Sequence, residues 1–360
     1  MKTPLPLKRL VREVLAIPTA PFHEERVKAF IGAFAAERKI ALTEDRAGNL
    51  LVTYRRGRAR PVAFAAHMDH PGLEITAARG RRAEALWLGG GPRERLRGIR
   101  VRIFTPFGEV RGTIMSAAPV PEKRPGALRL TLATDAPVAP GDFGLWDLPA
   151  VRIRGNCIIG RALDDLGGCV AILALLDRLA TRRIPARVIG IFTRAEEVGF
   201  VGASALIREK ILPRRIPVIS LETSRELPGA RQGGGVILRV GDFAAVFTPD
   251  ITQGLMRLAR RLAAAAPAFR FQHRIMDGGT CEATPFRLAG YSAGGLCVAL
   301  RNYHNQGPRG PAAETIRLDD LAGEIRFMEA IARHPEIFGE GRTAAVERVR
   351  HRFALYRRML

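Results

Sequence analysis

The chain has 360 residues, of which 47% are hydrophobic and 26% charged, with a formal net charge of +22 and four cysteines. That length and apolar content can bury a large core, which excludes a disordered or fibrous chain, and without an 18-residue apolar run or a leader-like start the expected setting is the cytoplasm. Cys157, Cys169, Cys281 and Cys297 lack the density of a disulfide scaffold, and the positive charge is mostly arginine spread along the chain with no interleaved aromatic motif, so neither nucleic acid nor membrane is an expected partner.

Residues 1–16 and 22–38 have the apolar spacing of amphipathic helices, separated by Pro18 and Pro21. An apolar run then ends at Ala65-Ala-His-Met-Asp69. Residues 73–155 are rich in short β-like runs, among them Ile99–Phe104, Leu128–Leu132 and Ala150–Ile153, punctuated by Gly and Pro. Arg161-Ala-Leu-Asp-Asp165 follows and leads into a helical stretch over 165–179. Val188–Thr193 is almost continuously apolar, as a central parallel strand is, and Glu196-Glu197 stands at its end. Pro217–Leu221 is a further strand-like run, closed by Glu222, and 251–264 is helical in pattern. The last chemically loaded segment is Arg301-Asn-Tyr-His304. Residues 340–358 form a basic segment with apolar Val346, Val349, Phe353, Leu355 and Tyr356, expected to be an appended helix that serves packing or assembly. Strand-like runs alternating with helical ones predict an α/β fold, a mixed and mostly parallel sheet covered by helices.

In four of these segments His or carboxylate appears where an apolar run stops, which is where a strand hands side chains to the crevice at the edge of an α/β sheet. Two divalent ions roughly 3.5–4 Å apart need a carboxylate between them, further ligands around each, and a separate base for the attacking water. His67, Asp164, Glu197 and His304 can serve as ligands and Glu196 as the base. Imidazole and carboxylate without thiolate suit Zn, Mn or Co. The chemistry indicated is hydrolysis.

Through these segments the chain resembles the tetrahedral aminopeptidases (TET), dinuclear metallopeptidases that include glutamyl and deblocking aminopeptidases. The likeness covers most of residues 1–335, from Leu10–Pro18 and Asp45-Arg-Ala-Gly-Asn49 through Asp277-Gly-Gly-Thr280. It implies a zinc-aminopeptidase-like fold with His67, Asp164 and Glu222 on one ion, Asp164, Glu197 and His304 on the other, and Asp164 bridging. It also implies Glu196 as general base, Asp69 as the carboxylate that orients the His67 ring, and an Asp164–Asp165 peptide that is often cis. The 97 positions between His67 and Asp164 exceed the spacing in related enzymes of this catalytic fold, so residues 73–155 are expected to be an inserted small β-barrel. Residues 1–72 and 156–360 are then the catalytic domain, and the insert mediates homo-oligomers up to a hollow dodecamer that admits peptides.

The chain departs from the family pattern beside the ligands. Glu222 stands where Asp is usual, with Glu226 as a local competitor; His70-Pro71 replaces a Glu, Leu166 an Arg, and Cys281-Glu282 an Asp-Ala pair. Packing is the expected role of Cys281. The activity implied is removal of amino-terminal residues from peptides. The alternatives are a related amidohydrolase, acting on acyl-amino acids or on carboxyl termini, and a noncatalytic binding scaffold.

Overall fold

The computed structural model describes residues 4–120 and 127–359, with the backbone alone for 340–345 and 358. The central sheet runs in the order Ala41–Glu44, Leu50–Arg56, Ala186–Thr193, Val62–His67, Val218–Ser220, Ala293–Leu300, Val236–Asp242, Phe271–Met276, with Thr223–Arg225 added beside the second half of Ala293–Leu300. Its four middle strands, from Ala186–Thr193 to Ala293–Leu300, are parallel, so their carboxyl ends share one edge. Both flanks bring antiparallel pairs, which makes the sheet mixed. Every residue of Val62–His67 and of Ala293–Leu300 is buried, as expected of strands covered on both faces.

The covering helices follow from the same apolar logic. Leu166–Thr181 is apolar almost all round and packs on the sheet, with Leu7–Leu15 against it and Leu318–Arg333, which also packs on the sheet, beside it. It approaches the sheet closely at Gly190, where an added Cβ would stand 2.5 Å from Ile172 Cγ2. The helices expected over 22–38 and 251–264 are Glu25–Arg38 and Pro249–Ala265. Among the described residues no helix is long and apolar enough to cross a membrane. Cys169, Cys281 and Cys297 are buried and all four thiols are unpaired.

The insert closes into a barrel in the order Gly72–Arg79, Arg82–Leu88, Leu128–Thr134, Gly108–Pro119, Arg100–Thr105, Phe143–Trp146 and back to Gly72–Arg79. Inward residues alternate with outward ones along Leu128–Thr134, and Trp87 stacks on Trp146 inside at a centroid distance of 4.1 Å. The barrel ends at Trp146. Val151–Arg154, the last β-like run of the expected insert, pairs with Cys157–Gly160, which pairs with Glu314–Arg317 in a three-stranded sheet. The basic C-terminal segment belongs to the helix Ile337–Tyr356. It packs through Ile337 and Phe338, whereas Val349, Phe353 and Tyr356 are exposed.

Candidate metal centre

The site lies at the shared carboxyl edge of the middle strands. His67 is the last residue of its strand, Glu196 and Glu197 follow Ala186–Thr193, Glu222 follows Val218–Ser220, and His304 follows Ala293–Leu300. Asp164 enters from the short turn between Cys157–Gly160 and the helix at Leu166, where the Asp164–Asp165 peptide is cis. Asp165 begins that helix, its Oδ1 accepting from Gly168 N at 3.0 Å.

Asp164 divides its two oxygens. Oδ1 stands 3.7 Å from His67 Nε2, and Oδ2 3.5 Å from His304 Nε2. Glu222 Oε2 lies 3.9 Å from His67 Nε2, while Glu197 Oε1 lies 3.1 Å from His304 Nε2. Ligand atoms of His67, Asp164 and Glu222 lie within 4.8 Å of one another, as do those of Asp164, Glu197 and His304. Glu196 completes a third such group with His67 and Glu197, its Oε2 being 3.8 Å from His67 Nε2. The competitor Glu226 is turned away, paired with Arg301 at 2.6 Å.

The electrostatics are those of a site suited to cations. Burial alone would lower the imidazoles, but the carboxylates around them win: Glu196, Asp69 and Glu222 hold His67 well above its ordinary value, and Glu197 and Asp164 hold His304 at about 10. Burial pushes Glu196 well up and Glu222 to about 8, with neighbouring carboxylates adding to both. Asp164 is also penalised by burial, yet its bond to His304 and the charge on His67 keep it low. Among the described residues Glu222 Oε1 is buried with no hydrogen-bond partner, and Glu197 Oε1, also buried, has only the 3.1 Å approach to His304 Nε2. Buried polar atoms are rarely left so. Buried carboxylates clustered with two imidazoles, one of their oxygens unpartnered, are a donor set that fits divalent cations bound by oxygen and nitrogen.

A second layer fixes these groups through their backbones. The turn that carries the paired glutamates has each N–H taken by a side chain: Arg194 N donates to Asn49 Oδ1, Ala195 N to Glu24 Oε1, and Glu196 N and Glu197 N to the two oxygens of Asp69. Asp69 therefore holds the turn. Its carboxylate is 3.6 Å from His67 Nδ1, and its carbonyl, at 3.1 Å, is the nearer acceptor for that nitrogen. With Nδ1 donating, Nε2 is free to face the carboxylates.

His70, one of the departures from the family pattern, is wholly buried with Nδ1 2.6 Å from Asp164 O and Nε2 3.0 Å from Asn305 Oδ1. Asn305 is fixed in that orientation because its Nδ2 donates to the carbonyl of Arg161. Glu24, Asn305 and Glu314 were not among the expected site residues. Their only sequence signal is that each is a polar residue destined for burial, which a chain read without contacts does not display. A polar cleft lined by Glu222, Ser224, Arg225, Arg239, Thr280 and Tyr303 opens beside the centre. Cys281 is not exposed in it; burial pushes its thiol well up, and it packs with Ala65 and Phe286.

The sequence profile of the M42 glutamyl aminopeptidases matches residues 48–326. The chain belongs to that family. As an M42 peptidase it hydrolyses peptide bonds, and the enzymes of this family are metal-dependent. It is similar to a putative aminopeptidase of Acetivibrio thermocellus, 22% identical over 346 residues that cover 89% of this chain and 97% of that one. The fold is that of the TET1 peptidase of Pyrococcus horikoshii, described as assembling into a tetrahedron or a large octahedral shell (TM-score 0.75, 24% identity, 91% and 99% of the two chains). It is likewise that of a TET aminopeptidase from a marine sediment Thaumarchaeota archaeon (TM-score 0.77, 19% identity, 93% and 98%).

Proposed function

We propose that this M42 peptidase is a dinuclear metal-dependent aminopeptidase, removing amino-terminal residues from peptides. The observation that carries the reading is the division of Asp164 between two donor sets, His67 with Glu222 on one side and His304 with Glu197 on the other. Two ions held there, zinc or else cobalt or manganese, would acidify a shared water and polarise the scissile carbonyl. Glu196, which belongs to neither donor set, accepts the proton of the attacking water and returns it to the amine nitrogen as the C–N bond breaks. Asp69 keeps Glu196 and Glu197 in place by holding both of their N–H groups. The excess of carboxylates attracts the free ammonium group of a peptide, which limits attack to the first peptide bond.

The reading includes assembly. Residues 73–155 are taken as the inserted domain through which copies associate, as far as a dodecamer, with 1–72 and 156–360 as the catalytic domain; the cytoplasm is its setting. The related amidohydrolases place their extra domain between the paired glutamates and the last histidine. Here that stretch supplies strands of the central sheet, so no observation favours them.

A panel of chromogenic aminoacyl substrates and their N-acetyl counterparts tests this with metal-stripped protein refilled with Zn, Mn or Co. Turnover is expected only on free-amino substrates, only with metal, and about 10²–10⁴-fold slower in Glu196→Gln. Turnover of the N-acetyl compounds alone would move the activity to another amide.

A further inference from the structure

Glu314 lies outside every donor set, yet it touches the backbone of two of the residues in them. Its Oε2 accepts from Leu163 N at 2.7 Å and Asp164 N at 3.2 Å, and its Oε1 accepts from His304 N at 2.9 Å. The side chain is fully buried. Its strand, Glu314–Arg317, is placed between the two ligand-bearing segments. One edge pairs with Cys157–Gly160, with Glu314 opposite Gly160, and that strand runs directly into Asp164. On the other side Thr315 exchanges two hydrogen bonds with Arg301, three residues before His304. One carboxylate thus ties the bridging ligand to a terminal ligand of the second donor set, and it does so through main-chain atoms, leaving both side chains free.

Resting on the dinuclear reading, we propose that Glu314 is a positioning residue that sets the separation between the two metal sites. All three of its partners are N–H donors, so both oxygens must accept. A glutamine of the same shape can satisfy one side only, because its NH2 must face either His304 N or the pair at Leu163 and Asp164. Keeping two bonds at the expense of one turns the NH2 toward His304. Asp164 retains Thr223 Oγ1 at 3.2 Å on its side chain and His70 at 2.6 Å on its carbonyl. The loosened partner is therefore His304, and the site that weakens is the one it shares with Asp164 and Glu197. Outer-shell losses of this kind typically reduce metal affinity about 10–100-fold.

The test is calorimetric titration of metal-stripped protein with Mn²⁺, followed by electron paramagnetic resonance of the filled protein, whose exchange coupling reports the spacing of an ion pair. For Glu314→Gln the first equivalent is expected to bind within about threefold of the native protein and the second at least tenfold more weakly, with the coupled signal replaced by that of isolated ions. Glu314→Asp, which keeps the charge but withdraws it by one methylene, should show the same selectivity. Ile316→Val, a core change on the same strand, should lower the melting temperature without altering the coupling. Native affinities and native coupling in both Glu314 variants would overturn the proposal, as would equal weakening of both equivalents in both. A native protein that binds fewer than two ions would overturn the dinuclear reading itself and the clamp with it.

Discussion

Glu196 and Glu197 are adjacent in sequence and face different imidazoles, Glu196 toward His67 and Glu197 toward His304. What makes that split possible is a turn whose N–H groups are all committed, with Ala195 at a positive φ of 50°. The ligand types and the pairing of the glutamates were legible from residue chemistry and from where apolar runs stop. The acceptors that hold the turn were not, because Asn49 and Glu24 lie 145 and 171 residues from the groups they bond and reach the turn only through the fold. Away from the centre, Glu324 on Leu318–Arg333 is buried with Oε1 unpartnered, and burial raises its carboxyl from 4.5 to about 8, with Asp320 and Glu222 adding. A raised folded-state value means the stability it contributes is full below pH 4.5 and is lost as the pH climbs through 8. In metal-free protein, Glu324→Gln is therefore expected to be more stable than the native chain at pH 8.5, by a few kcal/mol, and to show no such advantage at pH 4. Urea denaturation at both pH values checks this; an equal difference at both would contradict it.

At the level of elements, the barrel is part of the centre's wall. Its loop at 89–91 packs on the ligands: a Cβ added to Gly90 would stand 1.9 Å from His304 Nδ1, and one added to Gly89 would meet Glu197 Cβ at 3.2 Å. Gly90 is pinned from within the barrel, its carbonyl accepting from Trp87 Nε1 at 2.9 Å. Gly90→Ala should displace the His304 ring and weaken the second metal equivalent about 10–100-fold with little change in far-ultraviolet circular dichroism; unchanged affinity would show that the contact yields without consequence. The helices and central strands were readable because long periodic or unbroken apolar runs declare their type. The pairing of Val151–Arg154 was not legible, because a four-residue run carries no sign of its partner, which here is Cys157–Gly160 across the turn at Gly155. The Gly89–Gly91 contact was equally silent, since a glycine run reads as a turn whether or not a ligand packs on it.

Over the whole molecule, the parallel strands bring to one edge residues spread from His67 to His304, while the barrel inserted between His67 and Asp164 closes over the same edge. The +22 charge is concentrated in surface arginines, whereas the centre is an enclave of carboxylates, so the net charge of the chain says little about what the site binds. The exposed apolar residues of the C-terminal helix, Val349, Phe353 and Tyr356, belong to a segment whose sequence announced a helix but not that these side chains are exposed among the described residues. The most direct test of the central claim is a titration of metal-stripped protein with Zn²⁺ while hydrolysis of a free-amino aminoacyl substrate is followed. Activity should rise to a plateau at two equivalents per chain, with the second equivalent required for most of it. A plateau at one equivalent, or full activity with none, would contradict a bridged pair of ions at Asp164.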